Sequence, residues 1–286
     1  MKISLITACY NSATTIRSCI DSVLEQQGID LEYIVVDGGS KDGTVDIIKE
    51  YSTRSACSTW FKYISEPDRG MYDAINKGIK MATGDVIGIL NADDVLASDD
   101  TLAHIAQAFD SSKQTTLNSS TPPPHHSPTP PLTHSSTIDC VYADIRFVKS
   151  GDSVEELRNA KTVRYCSAKR WRPWMFRFAA MVPHPSFYAR RECFDRLGVY
   201  SLDYRICADF ELVLRFLGIA KLPAAYLPEC VVVMRTGGAS TAGWRSNVEI
   251  NREDLRALRA NGIWSCLPLI YLKYLFKIWG FVFRSR

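Results

Sequence analysis

Short apolar runs alternate with amphipathic segments through the first hundred residues, and this rhythm constrains the fold more than any other feature of the chain. Ile3 to Ala8 is a β-rich run. Ile16, Ile20, Val23 and Leu24 then fall on one helical face, with Ser12 or Asn11 available as cap. Leu31 to Val36 is apolar again and ends at Asp37, and Asp42-Gly43 opens a helical pattern carrying Val45, Ile47 and Ile48. Phe61 to Ile64 predicts a third strand. Met71 to Ala82 predicts a helix with Met71, Ile75, Ile79 and Ala82 inward, and Val86 to Leu90 predicts a fourth strand ending at Asn91. Repeated strand–helix units of this length predict an α/β chain, with a mostly parallel sheet and helices on both faces. With 286 residues, 46% of them apolar and 23% charged, the chain has the material for one large globular unit. A disordered chain or a coiled coil is excluded.

Beyond residue 110 the rhythm loosens. In residues 111–137, 19 of 27 positions are Ser, Thr or Pro, and none is acidic. Too little apolar surface is present to offset the ordering entropy, so this stretch reads as a disordered insert, with His125, His126 and His134 as solvated side chains. Cys140 to Ala143 predicts a strand, 152–182 is rich in Arg and Trp without a period, Ala208 to Leu217 predicts a helix, and Val231 to Met234 a late strand. Gly237, Gly238 and Gly243 mark turns before a charged helix near 245–260 and an aromatic tail. The chain thus divides into 1–110, the insert 111–137, a second half 138–235, and a helical tail 236–286. Nine cysteines without CxxC spacing predict free thiols in a reducing compartment. A net charge of +3 excludes a dedicated nucleic-acid binder. The opening MKISLITACYN reads as a first strand rather than a signal peptide.

Ligands of open parallel sheets sit beyond the carboxyl ends of the strands. Four predicted strand ends carry polar groups there: Thr7 to Asn11, Asp37 to Ser40, Ser65 to Gly70, and Asn91 to Asp94. Each alone would be an ordinary turn; four along one edge can converge on one ligand. The sharpest is Asn91-Ala92-Asp93-Asp94, where adjacent carboxylates at a buried strand end repel each other unless a cation neutralises them. An oxygen-only set suits Mg²⁺ or Mn²⁺, ions that also bind phosphate oxygens. A helix cap is the competing role, but Ser98-Asp99-Asp100 already offers one. Gly38 to Gly43 lacks the lysine of a P-loop, and no GxGxxG follows the first strand.

The series TACYN (7–11), VVDGGSKDGT (35–44), SEPDRGMYDAINKGIKMATGDVIGILNADD (65–94), HPSFYARRECFDRLGVY (184–200) and ADFELVLRF (208–216) resembles glycosyltransferase family 2, of the bacterial exopolysaccharide and O-antigen type. The resemblance implies a GT-A fold with an irregular acceptor-binding half. It implies a nucleotide-diphosphate sugar donor, a divalent cation, and inversion at the anomeric carbon. By position, Asp37 would hold the nucleobase or ribose, and Thr7 and Tyr10 would line the base pocket. Asn11 and Asp68 lie at the same donor edge. Asp93 is the carboxylate of the metal motif, flanked by Asp94 and by Asn91, which stands where Asp is usual. Asp209 stands at the catalytic base, although Ala208 rather than Glu precedes it; Glu211 is the other acid nearby, the understudy for the base and a candidate for the acceptor site. Arg69 and Lys77 are candidates for phosphate contact or for solvated surface charge. His184 is a candidate for the acceptor site or for a structural hydrogen bond.

The tail reads IWSCLPLIYLKYLFKIWGFVF over 263–283, with Lys273 and Lys277 interrupting it. It is marginal for spanning a bilayer. Its aromatics and lysines suit a helix on a membrane surface, or one packed on the body. The expectation is a cytoplasmic glycosyltransferase, peripheral at the inner membrane face, acting on a saccharide or lipid-linked saccharide in surface polysaccharide synthesis. The rivals are a sugar-phosphate nucleotidyltransferase and a non-catalytic sugar-nucleotide-binding module.

Overall fold

The computed structural model describes residues 1–54, 60–110, 137–237 and 243–273. The insert expected over 111–137, with His125, His126 and His134, falls outside the described residues except for Thr137, as do 274–286 of the tail.

Strand–helix alternation is present as read. β1 (Lys2–Cys9), α1 (Ile16–Leu24), β2 (Asp30–Asp37), α2 (Thr44–Ser52), β3 (Phe61–Ser65), α3 (Met71–Met81) and β4 (Val86–Ile89) follow one another. β5 (Val95–Leu96) and α4 (Thr101–Asp110) close the first half. β1 pairs in parallel with β2 and β4, and β2 with β3. The register sets Cys9 opposite Asp37 and Asp37 opposite Ser65, so three strand ends finish level. Side chains alternate across the sheet. Ile3, Leu5, Tyr33 and Val35 pack on one face, while Ile6, Ile34 and Val36 pack on the other.

The second half departs from a parallel sheet. β6 (Cys140–Val148), α5 (Val154–Asn159), β7 (Arg164–Cys166), 3₁₀ turns at Pro173–Phe178 and His184–Ser186, β8 (Tyr188–Arg190), α6 (Arg191–Leu197), α7 (Ala208–Val213), β9 (Ala224–Arg235) and α8 (Gly243–Ala260) complete the order. One sheet runs β3-β2-β1-β4-β8-β6-β9-β5, with β7 beside β6. β8 joins the halves by pairing antiparallel to both β4 and β6, whereas β6 and β9 are parallel. At that seam Gly88 faces Tyr188, whose buried ring occupies the space a Cβ would take. The predicted helix 208–217 is α7 continued by a π-helical stretch, Leu214–Ile219. One inward assignment fails: Met71 is 49% exposed, and Tyr72 takes the inward place on α3 with Ile75, Asn76 and Ile79.

Candidate active site

The four polar strand ends meet along one edge; backbone and side-chain hydrogen bonds tie the first three to each other, and the fourth is tied to α1. Gly38 N donates to Cys9 O at 2.9 Å, and Glu66 N to Asp37 O at 3.0 Å. Asn11 has a positive φ of 49°, and its Oδ1 accepts from Lys41 N at 3.0 Å. Ser40 Oγ accepts from Asn11 N at 2.7 Å. Cys19 Sγ donates to Asn91 O at 3.4 Å, which ties the fourth strand end to α1.

Asp37 is fully buried. Its Oδ2 accepts from Gly39 N and Ser40 N, both at 3.0 Å, and from Ser65 Oγ at 2.7 Å. These bonds hold its carboxyl below the usual range against the opposing effect of burial. Asp37 therefore shapes the 38–40 loop from beneath. Thr7 is buried as well and accepts from Tyr33 OH at 3.0 Å, whereas Tyr10 is 62% exposed on the same edge. Asp68 lies against Gly38, where a Cβ would strike its carboxylate, and accepts from Gly70 N at 2.8 Å. Arg69 is exposed and pairs with Asp73 at 3.1 Å. Lys77 pairs with Glu66 at 2.8 Å and donates to Pro67 O at 3.0 Å, which folds the 66–68 loop onto α3.

Asn91, Asp93 and Asp94 sit just past β4. Asp94 is fully buried; its Oδ2 accepts from Asn91 Nδ2 at 2.7 Å, and its Oδ1 has no hydrogen-bond partner. Burial first, and the neighbouring Asp93 second, raise its carboxyl well above the ordinary range. Arg235 of β9, which sequence reasoning missed, donates to Asp93 O and, at 2.8 Å, to Ser18 Oγ. An orphaned carboxylate oxygen beside a second carboxylate fits a divalent cation. Among the described residues no group of three or more His, Cys, Asp or Glu side chains could hold one. Ligand oxygens would have to complete the coordination shell.

Across α3 lies Asp209, partly buried in the first turn of α7. It does not cap that helix. Glu253 of α8 accepts from the N–H groups of Arg205, Ile206 and Cys207 at 3.0, 2.9 and 2.9 Å. Asp209 Oδ1 accepts from Phe210 N at 2.7 Å and from Tyr72 OH at 3.2 Å. Burial still pushes its carboxyl up to about 6. Such a group is ionised near neutral pH yet basic enough to take a proton. Glu211 is engaged elsewhere: Arg215 Nε and Nη2 donate to its two oxygens at 3.0 and 2.8 Å. His184 is buried, with Nε2 2.7 Å from Tyr200 OH, and burial lowers it to about 4, so the ring is neutral. Tyr72, Asn76, Tyr200 and Glu253 also escaped the sequence reading. The signal for the first two was present: they are polar side chains four apart on the buried face of α3.

The sequence profile of Glycosyl transferase family 2 matches residues 4–122. That match spans the first half of the chain, and the enzyme is a glycosyltransferase. A PGL/p-HBAD biosynthesis glycosyltransferase of Mycobacterium tuberculosis is 28% identical over 255 residues, which cover 89% of this glycosyltransferase and 83% of that protein. Residues 1–349 of S. aureus TarS, crystallised with UDP-GlcNAc, superpose with a TM-score of 0.59 at 16% identity, covering 90% of this chain and 66% of that one. A longer crystallised S. aureus TarS chain also matches, with a TM-score of 0.58, and the present chain covers 40% of it. The mannosyltransferase PcManGT of Pyrobaculum calidifontis, in complex with GDP-Man and Mn²⁺, matches with a TM-score of 0.54 at 20% identity, covering 98% of this chain and 80% of that one. The glycosyltransferase therefore has the GT-A fold, a largely parallel first half flanked by helices.

Proposed function

We propose that this glycosyltransferase moves a sugar from a nucleotide-diphosphate sugar to a saccharide acceptor, with inversion at the anomeric carbon, in cell-surface polysaccharide synthesis. The observation that carries this reading is Asp209, a carboxyl raised to about 6 and set across α3 from the stitched donor edge. The donor's base and ribose rest on the edge that Tyr10 and Asn11 present, with buried Thr7 and Asp37 shaping it from beneath. Asp68, Arg69 and Lys77 border the phosphates, where Arg69 supplies charge from a side chain 76% exposed. Asp93 and Asp94, with Asn91 beside them, would hold Mg²⁺ or Mn²⁺, which when bound neutralises the charge growing on the departing diphosphate. Asp209 accepts the proton of the acceptor hydroxyl as it attacks from the opposite face. Glu211 and His184 support this half through Arg215 and Tyr200. The UDP-GlcNAc and GDP-Man complexes of the two structural neighbours support the donor class.

The acceptor is a saccharide carried on lipid, and the tail brings the enzyme to the membrane surface. Trp264 is 70% exposed and Trp174 59%, while Ser265 Oγ donates to Arg177 O at 2.7 Å and ties the two segments together. Ile270 and Lys273 turn inward, with Lys273 paired to buried Asp254 at 2.8 Å. No helix among the described residues is long and apolar enough to cross a membrane. The test is product analysis with a panel of nucleotide-sugars. Metal-dependent release of free nucleoside diphosphate is expected, and release of pyrophosphate would overturn the reading.

A further inference from the structure

The first half of the molecule reaches into the second at one place, the buried face of α3. Tyr72 and Asn76 lie one turn apart there, and both end on groups of the second half. Asn76 clamps the Tyr200 backbone from both sides: its Nδ2 donates to Tyr200 O at 2.8 Å, and its Oδ1 accepts from Tyr200 N at 3.0 Å. The Tyr200 ring, so placed, stacks on Tyr72 with centroids 5.6 Å apart and planes 18° apart, and its hydroxyl meets neutral His184. The Tyr72 hydroxyl is shared between Ile206 O and Asp209 Oδ1. The ring can neither rotate against the stack nor leave a site where it is 5% exposed, so the hydroxyl is delivered to one spot.

From this geometry we infer that Tyr72 is the positioning residue of Asp209, and that α3 carries it from the donor loop to the base. The inference rests on the reading of Asp209 as the base. The helix begins at the end of the 65–70 loop, and Lys77 ties Glu66 and Pro67 back to it. A shift of that loop on donor binding is thereby transmitted to Tyr72 one residue into α3, and from there to the carboxylate. Phe210 N already holds Asp209 Oδ1 at 2.7 Å, and the locked phenol, 3.2 Å from the same oxygen, adds the side-chain donor that fixes which rotamer the carboxylate takes. The ionisable groups facing Asp209 are Tyr72 from α3, Tyr200, Cys207 at the start of α7, and Glu253 and Asp254 from α8, the last paired with Lys273. Among these Tyr72 alone donates a hydrogen bond to the carboxylate, whereas Glu253 opposes its ionisation.

The decisive substitution is Tyr72→Phe, which keeps the ring and its stack and removes only the hydroxyl. Expected are a fall in kcat of about tenfold, a donor Kd within about twofold of the parent, and an acid limb of the kcat–pH profile moved to higher pH, since the lost bond favoured the ionised carboxylate. Tyr200→Phe, which loses the His184 bond but keeps the stack, should give a smaller fall in kcat and leave the pH limb in place. Loss of melting temperature alone, with kcat and the limb unchanged, would overturn the inference and leave Tyr72 as packing. Asp209→Asn separates the two levels: near-parental turnover removes the base itself. An inactive Asp209→Asn beside an unaffected Tyr72→Phe removes only the positioning role. Should Tyr72→Phe fold poorly, Asn76→Ser reports on the same linkage, and unchanged kcat in that variant would equally overturn it.

Discussion

The two halves of the sheet build their parts of the site by different means. In residues 1–96 parallel strands end level, and each functional loop follows directly from an apolar run. The loops are held by their own backbone: Asp37, Asp42 and Asn11 hydrogen-bond N–H groups within or between neighbouring loops. In residues 138–235 the pairing is mixed, antiparallel for β7 and β8 and parallel for β6 with β9, and Asp209 and His184 sit on a short helix and on the 3₁₀ turn that leads into β8 rather than at the carboxyl ends of strands. Their order comes from long-range contacts such as Tyr72 to Asp209, Asn76 to Tyr200 and Glu253 to the start of α7. A site made of strand-end loops is local and survives changes elsewhere. A site made of packed side chains depends on everything that touches it.

The comparison can be broken at either half. The largest effect is expected from Asp93→Ala: turnover should fall by roughly 10³-fold or more and donor binding should weaken with it, since a cation ligand is lost. Full activity of the parent enzyme in EDTA would refute this. Asp209→Asn is expected to lower kcat by about 10²–10⁴ while calorimetric donor Kd stays near the parent value, because the donor edge lies on the other half. In the parent, kcat should drop as pH falls through about 6, where Asp209 takes up its proton and ceases to be a base, and hold above it. A profile flat to pH 5 would contradict that assignment. Gly88→Ala strikes the seam between the halves. A methyl group against the buried Tyr188 ring should cost about 1–3 kcal/mol in denaturant unfolding, with little change in donor affinity per folded molecule. An unchanged midpoint would mean that the seam yields. The smallest effect is expected from deleting residues 112–136. Phe109 and Ile138 both meet Arg190, whose guanidinium lies 5.5 Å from the Phe109 ring and whose Nε donates to Ile138 O at 2.8 Å, so the ends are already close. Loop closure varies slowly with length, and melting temperature and kcat should stay near those of the parent. A large loss in either would show that the segment contributes contacts.

Sequence alone determined the first half. Periods of two and 3.6 are local properties, and the residues that end a strand, Asp37, Ser65 and Asn91, are neighbours in sequence to the loops they open. The four polar strand ends and the carboxylate pair were therefore legible. What those side chains face was not: Thr7 and Asp37 sit beneath the edge, because burial depends on the strands paired alongside. Residues 152–182 showed no period because they are a one-and-a-half-turn helix, a three-residue strand and 3₁₀ turns, each too short to print one. Only the tertiary structure decided that Tyr72 and Asn76 leave the first half to order the second. It likewise turned Lys273, in the aromatic tail, inward to Asp254, and set Asp209 against Tyr72; the Glu211–Arg215 pair, four residues apart, is by contrast a local one. Contacts between residues more than a hundred positions apart leave no periodic trace in a single sequence. They arise when two halves, each satisfied locally, share one sheet through β8.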